Sequence, residues 1–286
     1  MDFQLSEDQR ALRRGLRDVL EGRFGRDALR AAVDEPRIDR KLWRALGDAG
    51  FFALCLPEDA GGVGLSLPEA VLAFEEAGRV LLPGPAVATF LAAGEVAGAA
   101  EGTTVVTAVG GPFVPWLEEA DAVRGDAAGA VAVRSVDPLT PLHRVQDDGA
   151  AQDPRAALLL AAEQLGSAAR TCETAVQYAQ DREQFGGPVG RFQAVQHLCA
   201  DMLVRAELAR VAVYAAAVTD DPLEAAGAKL LADDAAVRNA RDCLQVHGGM
   251  GFTWESDVHL HLKRAWVRAR LGGTAARAEE ELAAAL

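Results

Sequence analysis

Two long apolar seams constrain this chain most. Leu158, Ala162, Leu165, Ala169, Cys172, Val176 and Ala179 follow one another at alternating steps of four and three. Phe192, Val195, Cys199, Met202, Ala206, Ala209 and Val213 do the same at three and four. That spacing is the period of a helix with one buried face, sustained too long for a strand. Two such helices in succession pack at a shallow angle, which predicts a four-helix bundle over residues 151–286. A third helix is expected over about 222–246 and a fourth from Val258, with breaks at Gly186-Gly187-Pro188 and Gly248-Gly249.

The first 84 residues also read as helical. Ser6 with Gln9, and Ser66 with Glu69, form capping boxes, in which a hydroxyl serves one backbone amide and the longer side chain reaches back. Pro68 is tolerated in a first turn. Leu56 to Gly64 is a glycine-rich loop, and the helix after it, carrying Val71, Leu72, Phe74, Ala77 and Val80, stops near Pro83-Gly84-Pro85. Residues 85–150 change character: short β-prone runs, Thr103 to Thr107 and Ala130 to Val133, are separated by Gly- and Asp-containing turns. The expected fold is therefore mostly α: an N-terminal helical domain (1–84), a reduced β-rich middle domain (85–150) and a C-terminal four-helix bundle (151–286).

Composition narrows the function. Half the residues are hydrophobic but only 6% are aromatic, and Ala fills many segments, which suits close helix–helix contact. A formal net charge of −13 argues against nucleic-acid binding by overall field. Cys55, Cys172, Cys199 and Cys243 form no C-x-x-C pair, so neither a disulfide framework nor a metal site is expected. His259 and His261, two apart on a helix, face different ways and do not make a metal pair. Asp233-Asp234 reads as a solvated helix face. The polar start MDFQLSEDQR lacks the features of a signal peptide, and no run of apolar residues is long enough to span a membrane. A cytoplasmic location is the expectation.

Several motifs resemble one family. Arg182-Glu183-Gln184-Phe185-Gly186 followed by Val189-Gly190-Arg191-Phe192-Gln193 is similar to the signature between two bundle helices of the acyl-CoA dehydrogenases. So is Gln245-Val246-His247-Gly248-Gly249-Met250-Gly251-Phe252-Thr253. His259 to Ala265 resembles the family's last-helix segment, and Pro57 to Gly62 with Glu75 to Arg79 its N-terminal domain. The resemblance covers nearly the whole chain and is most specific in the last 110 residues or so.

The resemblance implies a flavin clamp. FAD presents a pyrophosphate, which takes a guanidinium and backbone amides; Arg182 is placed for the first, and Gly248 and Gly249 allow close backbone approach. Gln193 and Gln245 offer amides, Phe185 a ring surface, and Thr274 carries over as a further flavin contact. Alone, a Gly-Gly pair is a turn and an arginine a surface charge; their order at helix junctions carries the weight. In the family this clamp reaches across a subunit interface to a flavin whose ring lies mostly in the neighbour, which implies an obligate oligomer.

The chain also departs from the pattern. The family's base is the Glu of a Tyr-Glu-Gly-Thr-like segment, matched here by Leu271-Gly272-Gly273-Thr274, so Gly272 stands in its place. The alternative base position, on an earlier helix, falls at Ala156 beside Arg155. Neither residue abstracts a proton, so no catalytic residue is assigned. The family's Gln two residues after the Thr is Ala276, and neither of the middle-domain loops that touch the ring and thioester is found. What such a subunit lends a neighbour is kept; what it needs for its own chemistry is missing. The expected role is that of the base-lacking subunit of a compact, heteromeric actinobacterial acyl-CoA dehydrogenase. The implied partners are a homologous subunit in a heterotetramer, or a second copy of this chain, with an acyl-CoA substrate and an electron-transfer flavoprotein. Two alternatives remain at this point: a stand-alone acyl-thioester enzyme with other chemistry, such as dehydration, and a non-catalytic structural homo-oligomer.

Overall fold

A computed structural model describes residues 4–146 and 153–285. The expected boundary between residues 150 and 151 lies outside them. The N-terminal part holds α1 (Glu7–Arg23), α2 (Arg26–Asp34), α3 (Arg40–Asp48) and α4 (Leu67–Arg79). Both capping boxes form, at Ser6–Gln9 and Ser66–Glu69. A six-residue helix, α5 (Ala86–Leu91), follows where the sequence signalled the onset of the β segment.

The β segment is small. Strands β1 (Val106–Ala108), β2 (Phe113–Pro115), β3 (Ala122–Arg124), β4 (Val131–Val133) and β5 (Leu142–Arg144) make two sheets. β1 pairs in parallel with β3, Val106 opposite Ala122, and β5 lies antiparallel between β2 and β4. The run from Thr103 to Thr107 enters the sheet only at Val106. Thr103 and Thr104 spend their hydroxyls on the Gly98 and Ala97 carbonyls, so the first half of that run is a turn.

The bundle comprises α6 (Pro154–Asp181), α7 (Gln193–Thr219), α8 (Pro222–His247) and α9 (Val258–Arg268), with a last helix, α10 (Ala275–Ala284), laid against α8. A two-residue hairpin of β6 (Glu183–Gln184) and β7 (Gly187–Pro188) joins α6 to α7. Met202, Ala206, Ala209 and Val213 are buried along α7, as their seam predicts, and Leu158, Ala162, Leu165, Ala169, Cys172 and Ala179 along α6, whereas Val176 faces outward.

The first half of α6 is buried on almost every side because α4 packs against it as well as α8. Gly78 and Gly166 make that approach possible: a Cβ at Gly78 would stand 2.0 Å from the Glu163 carbonyl oxygen, and one at Gly166 1.9 Å from that of Glu75. Only glycine fits at both points. One apolar core consequently runs from Trp43, Phe51, Phe52 and Phe74 through Leu158 and Leu165 to Ala228 and Ala232.

Asp233 corrects the sequence reading. It is buried, accepts from Gln164 Nε2 at 2.8 Å and pairs with Lys229, whose Nζ also reaches the Arg268 carbonyl at 3.2 Å. Asp234 does lie on the solvated face, paired with Arg238. A charge at a bundle seam is retained when every lone pair finds a donor.

Candidate functional site

The structure gathers six of the seven expected flavin-binding residues at one end of the bundle. Arg182 caps the C-terminus of α6, and its backbone carbonyl accepts from Val189 to close the hairpin. Phe185 sits at the hairpin tip with φ +54° and is 81% exposed. Its ring meets Phe192 edge-on at 6.0 Å, and Gln193 opens α7 immediately afterwards. Arg191 donates to the Phe185 and Gly186 carbonyls and so holds the tip.

The second motif packs against the first. Tyr178, one turn before Arg182, stacks on His247 with ring centroids 4.0 Å apart. His247 ends α8, its Nδ1 2.8 Å from the Cys243 carbonyl, and half-burial pulls its pKa down. Gln245, exposed, Gly248 and Gly249 therefore lie beside the hairpin.

Three features leave this end open to a ligand. The Arg182 guanidinium makes no hydrogen bond or ion pair among the described residues. No side chain caps the N-terminus of α7, which carries the positive end of the helix dipole. Gly248 has φ +59° and ψ −139°, and a Cβ on it or on Gly249 would meet nothing within 4 Å. Guanidinium, helix amides and uncovered glycine backbone are the donor set a pyrophosphate takes. Phe252, 74% exposed, and the half-exposed Met250 and Trp254 border the same end.

Thr274 is elsewhere. It caps α10, its Oγ1 accepting from Arg277 at 3.4 Å, and shares a cavity of about 220 Å³ with Pro154, Pro222 and Lys229. Pro222 begins α8 and His247 ends it, so a 26-residue helix, roughly 39 Å, separates the two ends. The resemblance names Thr274 as a flavin contact without saying which end of the bundle it occupies.

Gly272 and Ala156, the two vacated base positions, do come together. Both line a cavity of about 380 Å³ between the β segment and the bundle. Gly272 has φ +68°, and a Cβ there would lie 2.6 Å from Leu160 Cδ1. Glu163 and Arg268, which line the same cavity, were not singled out by sequence. They pair at 2.9 Å, each about 95% shielded from solvent. Burial pushes the Glu163 carboxyl up despite Arg268 and Arg264, and draws Arg268 down to about 10 despite Glu163. The available signal was a Glu-Gln step interrupting the apolar run of α6.

No helix among the described residues is long and apolar enough to cross a membrane. Glu255 is exposed, its backbone carbonyl accepting from Arg26. His259 stacks on Trp254, while His261 Nδ1 lies 2.8 Å from Ser167 Oγ.

Comparison with known proteins matches both ends of the chain to family models. Residues 6–104 match the acyl-CoA dehydrogenase N-terminal domain and residues 154–286 the C-terminal domain, flanking the β-rich segment. The chain is similar to acyl-CoA dehydrogenase IpdE2 of Mycobacterium tuberculosis, 36% identical over 295 residues covering 93% of each chain. A solved steroid acyl-CoA dehydrogenase, Tcur3481-Tcur3483, superposes with a TM-score of 0.82 at 26% identity over 97% of each chain. The ChsE4-ChsE5 complex from Mycobacterium tuberculosis shares the fold, with a TM-score of 0.85 at 24% identity over 99% of this chain and 98% of that one.

Proposed function

This chain belongs to the acyl-CoA dehydrogenase family, and from that premise we propose that it is the clamp-donating, base-lacking subunit of an oligomeric enzyme that desaturates an acyl-CoA thioester. One observation carries this reading: an unpartnered Arg182 with an uncapped helix start and an open Gly248-Gly249 turn. FAD, when bound, supplies the hydride acceptor. Arg182 and the first amides of α7 hold its pyrophosphate, Gly248 and Gly249 admit it closely, Gln193 and Gln245 orient it, and Phe185 covers it. The positions that would remove the α-proton, Gly272 and Ala156, carry no group able to do so.

An apolar seam on the outer side of α7 supports an oligomer. Val204, Leu208, Val211 and Val218 are each more than half exposed and recur at helical spacing, a second stripe that this chain leaves uncovered. The partner is a homologous subunit that carries the base and most of the ring site, with an electron-transfer flavoprotein as acceptor. The similarity to the Tcur3481-Tcur3483 steroid acyl-CoA dehydrogenase supports a heteromer.

The test is flavin content. Expressed alone, the chain is expected to hold little FAD. Co-purified with its base-carrying partner, the complex is expected to be yellow, and Arg182→Ala to lose about 2–5 kcal/mol of flavin binding, the cost of removing one buried charged partner. The melting temperature of the isolated chain should not move, since the Arg182 side chain makes no hydrogen bond or ion pair among the described residues. Full flavin in the Arg182→Ala complex, or one FAD per chain in the isolated protein, would refute the assignment.

A further inference from the structure

The cavity beside Gly272 is unused by the clamp, and its charges are unevenly satisfied. Arg264, on its wall, donates to Asp137 and to the Leu82 and Leu139 carbonyls. Arg124, nearer the rim, pairs with Glu95 at 3.2 Å. Arg268 differs. It is 4% exposed, its Nη2 faces Glu163, and its Nη1 is buried without any hydrogen-bond partner. A buried guanidinium N–H left unmatched is costly, and a native fold keeps one where something else accepts from it.

Besides these arginines and Glu163, the polar lining is Thr140 and Asp153, whose carboxylate accepts from the Arg155 and Ala156 amides at the start of α6; the remaining walls are largely apolar or small, with Leu91, Phe113, Trp116, Ala156 and Leu160 around the space. A volume of about 380 Å³ falls in the range of small-molecule sites, roughly 300–1,000 Å³. The charge balance decides the chemistry of the occupant. Arg268 is already neutralised by Glu163, and Arg264 by Asp137, so an anionic ligand would add an unmatched charge to a buried site. A neutral acceptor oxygen takes the free N–H without that penalty.

We infer that this cavity, at the site of the vacated base, binds a compact apolar carbonyl compound whose oxygen accepts from Arg268 Nη1. Neither Gly272 nor Ala156 offers that ligand a base. The cavity lies roughly 28 Å along α6 from Arg182, counted from Glu163, so binding there does not depend on the flavin clamp.

The experiment uses the full chain with no flavin added and 2-decalone as probe, followed by calorimetry and ligand-observed NMR. Decalin-2-carboxylate and decalin-2-carbonyl-CoA, on the same skeleton, are the comparison probes. The ketone is expected to bind, and the carboxylate at least about tenfold more weakly. Arg268→Lys keeps the cation opposite Glu163 but removes the second nitrogen of the planar fork, and should weaken ketone binding by about ten- to a hundredfold. Arg268→Met/Glu163→Leu removes the pair together, leaves no lone buried charge, and should do the same. Ala156→Phe fills the cavity and should abolish binding. Unchanged ketone affinity in both Arg268 variants would overturn the inference, as would tighter binding of the carboxylate. Binding of the thioester alone, with the ketone ignored, would return the cavity to the family's acyl-CoA chemistry and overturn it equally.

Discussion

Arg264 and Asp137 are 127 residues apart and meet in the interior, the guanidinium Nε on the carboxylate Oδ2, with both side chains at least 97% buried. The same guanidinium donates to the Leu82 carbonyl at 3.0 Å and the Leu139 carbonyl at 3.1 Å. One side chain of α9 thus fastens the end of the N-terminal helices and the β segment to the bundle. Breaking such a pair leaves an uncompensated buried charge. Arg264→Met or Asp137→Leu is expected to cost about 3–5 kcal/mol in denaturant unfolding, and the double variant markedly less. Equal loss in single and double variants would deny the pair this role.

Gly272→Glu is expected to weaken the fold without restoring a base. The left-handed backbone at position 272 disfavours any side chain, and its first carbon would strike Leu160. A loss of about 1–3 kcal/mol follows from strain and overpacking. Acyl-CoA oxidation by the isolated variant should stay at background, measured by dye reduction with added FAD.

Stability should fall as the solution is acidified below neutrality. Burial lowers His261 from its ordinary 6.5 to about 3, and the nearby Arg170, Arg268, Arg264 and Arg79 act in the same direction. The folded state therefore refuses a proton that the unfolded chain accepts below pH 6.5. The penalty grows as pH falls from 6.5 toward 3, at up to about 1.4 kcal/mol per pH unit from this one residue. His261→Gln, which keeps a partner for Ser167, should flatten the slope by about one proton in urea unfolding between pH 7 and 4.5. Glu76 acts below that window. Burial alone would raise its pKa, but hydrogen bonds from Arg17 and Arg13 lower it overall, so its contribution is present above the ordinary carboxylate range and lost on further acidification.

Leu208→Glu tests the outer seam of α7. The residue is 56% exposed in the single chain, so the substitution should leave the monomer's unfolding free energy within about 0.5 kcal/mol. It should, however, dissociate the assembly in sedimentation velocity, because a carboxylate at an apolar contact has no partner there. An intact assembly would move the interface to another face.

The helices were legible because period and caps are local. Ser6, Ser66 and the seams of α6 and α7 each announce their element within a few residues. α5 was missed because six residues between a proline and a glycine-rich turn carry too little period to register, and the run at Thr103 misled because its hydroxyls bind carbonyls behind it. The six residues proposed for the clamp belong to two motifs in the sequence, and the Tyr178–His247 stack shows that these share a corner. The Glu163-Gln164 step marked a polar break in an apolar run, but the pairings of Glu163, Asp233 and Arg268 were out of reach. Their partners lie on other helices, and a carboxylate in a helical run looks the same whether it faces water or a guanidinium.

The length of α6 has a consequence for how changes in this protein combine. Arg182 terminates it, while Ala156, Leu160 and Glu163 belong to its first ten residues, so the two ends share a rigid rod and no side-chain neighbours. Substitutions separated by such distances combine additively, to within about 0.3–0.5 kcal/mol. A double-mutant cycle between Arg182 and Glu163 should therefore close near zero in stability. Substitutions at one end of α6 are therefore free to accumulate without disturbing the packing at the other.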